Sequence, residues 1–586
     1  MPTPAESYVH NAPNRTHLWT RLLVEALVRH GVDTFFIAPG SRSTPLTVAV
    51  AQHPQARAVV HVDERGTAFA ALGYGRATQR PAGWITTSGT AVANGMPAVV
   101  EAATDDVPML LLTADRPPEL RDTGANQTID QVKLFGSYAR WQVDLPPPTP
   151  AIDLAYVLTT AAHAVHQAVR GPMGPVHVNA MFRKPLDPVP DGRDATNDLA
   201  PLAQWLAGDA PYTTYPVPAA SVPEAAARCM ADWQDGVRGL VVAGRLDTAD
   251  DRAAAQRMAA HLGWPLVADV TSGLRTGAVE ALRIAYADQL LAADAFANRH
   301  APEAVLHLGG RAVSKRLRQY LAAHGPRWRI VVRPSPSRLD PDHRVTHHWE
   351  TALPALAEVL TSHDAPPRLS AWCDAWQQAD AQAARVLMAY ADGADALSEP
   401  LVARTVAAAR TPGQPLVCAS SMPVRDMNRY ANPSAPGGPI YANRGASGID
   451  GTVATAAGLA HATGQAVLLL IGDLALWHDI SSLALLQHAP VTVVVVNNDG
   501  GGIFHFLPIA EHTDVFEPYF GTPHGRSFTH AAATYQLPYA APATPQALRE
   551  ALRTHNGTSA LIEVRTGREQ NRSVHAQLEQ RIADAL

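Results

Sequence analysis

The sequence predicts an α/β protein made of three doubly wound parallel-sheet domains. Apolar segments of strand length alternate with segments of helical period along nearly all of the 586 residues, which is the pattern of βαβ units. At about 100 to 200 residues per domain, this length accommodates three or four domains, each with its own core. Hydrophobic residues make up 47% and charged residues 17%, a globular usage that excludes a disordered chain.

Near the N-terminus, LWTRLLVEALVRHG reads as a helix, DTFFIAPG as a strand and turn, and ARAVVHV as a second buried strand. WITTSG and MLLLTAD continue the series. In such sheets the functional loops follow the carboxyl ends of the strands. Between Pro185 and Pro223 the chain becomes rich in proline, aspartate and small residues, so a linker crossing the surface is expected and the first domain spans 1–188. RGLVVAGRL, WPLVADV, AVLHLGG and WRIVVRP supply four strands of a second domain, 189–370. Its GRLDTAD lacks the full glycine fingerprint of dinucleotide binding. After SHDAPPRLS a helical stretch opens a third domain, 371–586, with strand ends at PLVCASS, AVLLLIGD and VTVVVVNND.

Composition removes several classes of function. Lysine plus arginine (47) against aspartate plus glutamate (53) leaves a net charge of −6 without a basic block, so neither nucleic acid nor a membrane surface is an expected partner. The three cysteines, Cys229, Cys373 and Cys418, are far apart and form no C-x-x-C pair, which supports neither a disulfide framework nor a thiolate zinc site. The N-terminal stretch lacks an apolar signal segment and the longest apolar runs are strand-sized, so a cytoplasmic protein is expected. GYGRAT at 73–78 is the nearest match to G-x-G-x-x-G. It fails at its last position and lies in a helical stretch, against a nicotinamide dehydrogenase.

The strongest local signal is IGDLALWHDISSLALLQHAPVTVVVVNNDGGG. One buried strand ends at Gly472 and Asp473, a helix follows, and a second strand ends at Asn497, Asn498 and Asp499. A right-handed crossover sets these strand ends side by side, so Asp473 and Asn498 can face one cation. Mg²⁺ takes hard oxygen ligands and needs few protein groups when a phosphate supplies the rest. The glycine run 500–502 lets backbone approach a diphosphate. A second signal is Glu64 in VVHVDERGTAFAALGYGRA, a carboxylate between an apolar strand and an alanine-rich helix. Taken alone, it also reads as an acid at a helix N-terminus stabilising the dipole.

The GD…NN spacing resembles the diphosphate-binding motif of thiamine-diphosphate enzymes, with Leu474 where that motif usually has a third glycine. The resemblance implies pyrimidine-binding, central and diphosphate-binding domains in that order. It also implies a divalent cation, Mg²⁺ or Mn²⁺, held by Asp473, the Asn498 side chain and the Gly500 carbonyl, with Asn497 the alternative to Asn498. Gly472 and Leu474 would adjoin the diphosphate. Glu64 would hydrogen-bond N1′ of the aminopyrimidine, shielded from water by its strand and helix. The active site would form between subunits, so at least a homodimer is implied.

IAPGSRSTPL, TADRPPELRDTGANQTIDQ, SSMPVRDMN, ANRGASGIDGTVATAAGLA and NNDGGGIFHFLP resemble one family more closely. It is the 2-succinyl-5-enolpyruvyl-6-hydroxy-3-cyclohexene-1-carboxylate synthases of menaquinone biosynthesis. The resemblance covers most of 15–185 and 397–530 and implies decarboxylation of 2-oxoglutarate and conjugate addition of the succinyl carbanion equivalent to isochorismate. It implies a substrate site lined by Ser41, Arg42, Arg116, Asn126, Gln127, Ser421, Arg425 and Arg444, with Lys315 and Arg316 added from the central domain. Arg42, Arg425 and Arg444 would also take part in catalysis, and Ser421 and Ile449 would touch the cofactor, Ile449 beneath its bend. Ser420 departs from the asparagine more usual before the Ser421 position. Both substrates are dicarboxylates, and planar guanidinium forks suit carboxylates. Another thiamine-diphosphate 2-oxoacid decarboxylase or an acetohydroxyacid synthase would share the Asp473, Asn498 and Glu64 signals, but would need fewer arginines. A protein that binds the cofactor without turnover is a further alternative.

Overall fold

The computed structural model describes residues 4–216 and 222–586; the end of the proline-rich stretch, 217–221, lies outside them. The strands are β1 Thr34–Ile37, β2 Arg57–Val60, β3 Gly83–Thr86, β4 Met109–Asp115, β5 Trp141–Leu145, β6 Pro175–Met181, β7 Gly239–Ala243, β8 Leu266–Ala268 and β9 Arg283–Ile284. They continue with β10 Ala304–Leu308, β11 Trp328–Arg333, β12 His347–Glu350, β13 Leu416–Cys418, β14 Ile440–Tyr441, β15 Val467–Gly472, β16 Val491–Asn497, β17 Tyr539–Ala540 and β18 Ala560–Arg565. They form three six-stranded sheets, ordered β2-β1-β3-β4-β6-β5, β12-β11-β10-β7-β8-β9 and β14-β13-β15-β16-β18-β17. Every pairing is parallel, so the predicted three-sheet α/β class is what the chain adopts. The central strands are mostly apolar because helices cover both faces; β4 and β16 are buried at every residue, including the polar ones near their ends.

Two expectations need correction. ARAVVHV does not form a buried strand: β2 is an edge strand, and Val60 and Val62 are 57% and 77% exposed. As an edge strand it leaves most of its residues exposed and only Val59 half-buried. Nor is the described part of the proline-rich stretch a bare linker. It forms short helices at Thr196–Leu199 and Ala203–Leu206, and Leu199, Leu202 and Leu206 bury themselves in the core of the first sheet. Three leucines among the prolines supply the apolar face that holds the segment down.

Two compact units divide the chain. One comprises Met1–Pro218, Val453–Gly464 and Ser481–His488, and the other Ala219–Thr452, Gln465–Ile480 and Ala489–Leu586. Within the first unit, the helix Glu64–Thr78 packs backbone to backbone on 455–458. A Cβ at Gly73 would lie 2.2 Å from the Thr455 carbonyl oxygen, and one at Gly458 2.0 Å from that of Ala70. Asp63 caps the same helix, accepting from Arg65 N and Gly66 N, and Ser481 Oγ donates to its other oxygen at 2.6 Å. Glu64 therefore starts a firmly seated helix. Among the described residues, no helix is long and apolar enough to cross a membrane.

Candidate functional site

In the second unit, β15 and β16 pair in register from Val467 with Val491 to Gly472 with Val496, which sets their carboxyl ends side by side. A cavity of about 410 Å³ opens there, lined among others by Gly472, Asp473, Leu474, Asn498 and Gly500. Asp473 is buried; its Oδ1 accepts from Leu474 N at 2.7 Å and its Oδ2 from Gly500 N at 2.9 Å. His524 Nε2 stands 3.1 Å from the same Oδ2. Burial pushes the Asp473 carboxyl above its ordinary range, against the pull of these hydrogen bonds.

The two asparagines separate cleanly. Asn497 Nδ2 donates to Glu563 Oε1 at 2.7 Å and to the Arg526 carbonyl at 2.9 Å, so its side chain braces the sheet and does not line the cavity. Asn498 Nδ2 donates to Glu399 Oε1 at 2.8 Å, and its buried Oδ1 has no partner among the described residues. Gly472 has open space where a Cβ would stand, whereas the glycine run is closely packed. A Cβ at Gly500, where φ is +128°, would lie 2.0 Å from the Gly521 carbonyl oxygen, and one at Gly502 2.4 Å from Asn498 Nδ2. A buried carboxylate, an unpartnered amide oxygen and an uncrowded glycine fit a hydrated Mg²⁺ with a diphosphate.

Arginine lines the other side. Arg425, on the helix Met422–Tyr430, donates to the Ser421 carbonyl, and both residues line the cavity with Arg444. Burial and then the Arg444 charge lower the Arg425 pKa. Two guanidiniums close enough to repel are a site for anions. Ser421 sits at φ +72°, a non-glycine residue in the left-handed region, as happens where a turn must aim a side chain. Ser420, the departure noted above, donates to the Asn443 carbonyl at 3.1 Å and also lines the cavity. Ile449 lines it while 39% exposed, so core packing is not what keeps an isoleucine there.

The first unit carries the other predicted residues. Glu64 is half-buried and accepts from Asn94 Nδ2 at 3.2 Å. Arg42 is buried and donates to the Phe182 carbonyl at 2.7 Å. Desolvation and then Arg116 lower its pKa, a second arginine pair at strand ends. Ser41 and Asn126 are exposed nearby in sequence. Gln127, at φ +55°, ties its loop to the β3 turn: its Nε2 donates to the Ser88 carbonyl at 2.9 Å and Ser88 Oγ donates to its own carbonyl at 3.0 Å.

Lys315 and Arg316 do not line this cavity. Lys315 is exposed, and the Arg316 guanidinium is held by Asp288 Oδ1 at 3.3 Å and Glu579 Oε2 at 2.8 Å. Two residues that sequence reasoning missed are Glu399 and His524. Burial above all pushes the Glu399 carboxyl up to about 7, and the Asp473 charge adds to the rise.

Comparison with known proteins agrees with this geometry. Three family models match in order: the N-terminal TPP-binding domain of thiamine pyrophosphate enzymes over 19–134, the middle domain over 196–417 and the C-terminal TPP-binding domain over 420–564. A 2-succinyl-5-enolpyruvyl-6-hydroxy-3-cyclohexene-1-carboxylate synthase of Salinibacter ruber is 58% identical over 99% of this chain and 98% of its own. The Rubrobacter xylanophilus protein of that name is 54% identical over 97% and 98%, and the Pelodictyon phaeoclathratiforme one 42% identical over 96% and 95%. With such identity along nearly its whole length, the chain belongs to the 2-succinyl-5-enolpyruvyl-6-hydroxy-3-cyclohexene-1-carboxylate synthase family of thiamine-diphosphate-dependent enzymes.

Proposed function

We propose that this chain decarboxylates 2-oxoglutarate and adds the remaining four-carbon unit to isochorismate. The observation that carries the reading is the Arg425 and Arg444 pair, in one cavity with Asp473 and the unpartnered Asn498 oxygen. It brings anion-binding guanidiniums and a cation's oxygen ligands together. Bound thiamine diphosphate supplies the carbon nucleophile and the electron sink that decarboxylation requires. Asp473, Asn498 and the Gly500 carbonyl would hold Mg²⁺ or Mn²⁺, and Gly472 and Leu474 would adjoin the diphosphate, Gly472 with open space where a Cβ would stand. Ile449 and Ser421, which line the cavity, would touch the cofactor. Glu64 holds a proton at N1′ of the aminopyrimidine. Arg42, Arg116, Arg425 and Arg444 would bind the carboxylates of the two substrates, with Ser41, Asn126, Gln127 and Ser421 beside them. Lys315, which is exposed, and Arg316, which is ion-paired with Asp288 and Glu579, would add cations to the substrate site from the central domain.

Domain boundaries near 188 and 370 belong to the same reading, as does a cytoplasmic enzyme acting on small molecules without nucleic acid or membrane. So does at least a homodimer, whose interface would cover the exposed Val60, at the end of the edge strand, and Val62, just beyond it. The test is CO₂ release by the protein reconstituted with Mg²⁺ and thiamine diphosphate, with 2-oxoglutarate or pyruvate offered at equal concentration. A preference for 2-oxoglutarate of about a hundredfold or more is expected from a second carboxylate bound by arginine. A preference for pyruvate would favour the decarboxylase or acetohydroxyacid synthase reading.

A further inference from the structure

We infer that Glu399 is a positioning residue of the cation site, fixing the Asn498 amide with its oxygen toward the cavity. The inference rests on the reading of Asp473, Asn498 and Gly500 as the groups that hold the metal. Glu399 begins the helix Glu399–Ala408, whose N-cap is Ser398: the Ser398 Oγ accepts from Leu401 N. That end is capped without Glu399, whose side chain turns instead to the strand ends and is almost wholly buried. Its Oε1 accepts from Asn498 Nδ2 at 2.8 Å and from Thr566 Oγ1 at 3.3 Å, and the Asn571 side chain also hydrogen-bonds to the carboxylate. These three donors are all neutral. A carboxylate buried among neutral donors, in the same cavity as Asp473, is costly, and helix capping does not account for it.

Orientation does. The two ends of an asparagine amide are nearly equal in shape, and a half-turn exchanges acceptor for donor. An NH₂ group facing the cavity would repel a cation, whereas Oδ1 would ligate it. A carboxylate on the opposite side accepts only from the NH₂ end. It therefore selects the orientation that leaves Oδ1 buried and unpartnered, on a residue that lines the cavity. Gly502 complements this: a Cβ there would lie 2.4 Å from Asn498 Nδ2, so glycine keeps room for the amide to reach Glu399.

The test is a Mg²⁺ titration of the full chain with thiamine diphosphate present, followed by calorimetry and independent of turnover. Five proteins are compared: unsubstituted, Glu399→Ala, Glu399→Gln, Asn498→Asp, and the double variant Glu399→Gln/Asn498→Asp. Removing an outer partner of a metal ligand weakens binding by about 10- to 100-fold, and Glu399→Ala is expected in that range. Asn498→Asp sets two carboxylates in contact and is expected to be weakened similarly. The double variant exchanges donor and acceptor across the same contact, so the new amide at position 399 can donate to the new carboxylate at position 498, whose other oxygen faces the cavity. It is expected to bind Mg²⁺ at least about tenfold more tightly than Asn498→Asp alone. A merely structural role predicts no such recovery, and the near-isosteric glutamine and aspartate substitutions keep the test valid should Glu399→Ala fail to fold. Mg²⁺ binding by Glu399→Ala equal to the unsubstituted protein, or a double variant no tighter than Asn498→Asp, would overturn the inference. Absence of Mg²⁺ binding by the unsubstituted protein would overturn the metal-site reading and the inference with it.

Discussion

Glu64 is the residue on which proton handling at the cofactor would depend. It is half-buried at the first turn of its helix, hydrogen-bonded by Asn94. Replacing it with glutamine keeps the shape and removes the charge. Glu64→Gln is expected to lower kcat by about 10²- to 10⁴-fold while Mg²⁺-dependent cofactor binding changes less than about threefold, the pattern of a group acting on the reaction rather than on binding. Steady-state kinetics beside a cofactor titration checks this, and near-normal turnover would remove Glu64 from the chemistry. Arg425→Lys keeps a charge but loses the planar fork, and is expected to lower kcat/KM for 2-oxoglutarate by about tenfold or more. Asp473 and Asn498 were legible as strand-end residues of one βαβ unit, and the structure sets both at one cavity; Glu64 was legible as an acid at the start of its helix. Glu399 was not legible, since Ser-Glu-Pro at a helix start reads as capping, and its partner lies 99 residues away. Arg316 shows the converse. Its charge was visible, but Glu579, 263 residues on, was not visible as its partner.

At the scale of elements, buried apolar runs announced the central strands, and their pairing set the β15 and β16 ends together as expected. The strands that sequence reading missed include the edge pieces β5, β9, β12, β14 and β17. These are short or partly exposed and carry little apolar signal. β6 and β18 are different: each is central, and each carries a polar residue, His177 or Glu563, that interrupts the apolar run. His177 makes a prediction of its own. Its Nε2 stands 2.7 Å from Thr113 Oγ1, and burial lowers its pKa from 6.5 to about 4. The fold therefore holds it neutral, while the unfolded chain protonates it near 6.5. Its contribution to stability is complete above pH 6.5 and is lost as pH falls toward 4, by at most about 3 kcal/mol. Thermal melts of His177→Gln compared with the unsubstituted protein between pH 7 and 4 check this: the variant's loss of Tm on acidification should be visibly smaller. Equal slopes would show that His177 does not titrate between those limits.

At the scale of the whole molecule, the three-sheet plan was readable from alternation and length, whereas the partition into units was not. The segments 453–464 and 481–488 group with the first unit although they lie late in the chain, and backbone contacts at Gly73 and Gly458 leave no periodic trace in the sequence. The proposed assembly makes light scattering informative: a mass of at least two chains is expected at assay concentration, and a monomer active at the same dilution would contradict it. The most direct test of the central claim is the mass of the product formed from isotopically labelled 2-oxoglutarate and isochorismate by the reconstituted enzyme. The account predicts one adduct carrying the label of a four-carbon acid unit, with CO₂ released only as that adduct forms. Rapid CO₂ release that ignores isochorismate, with no labelled adduct, would contradict it.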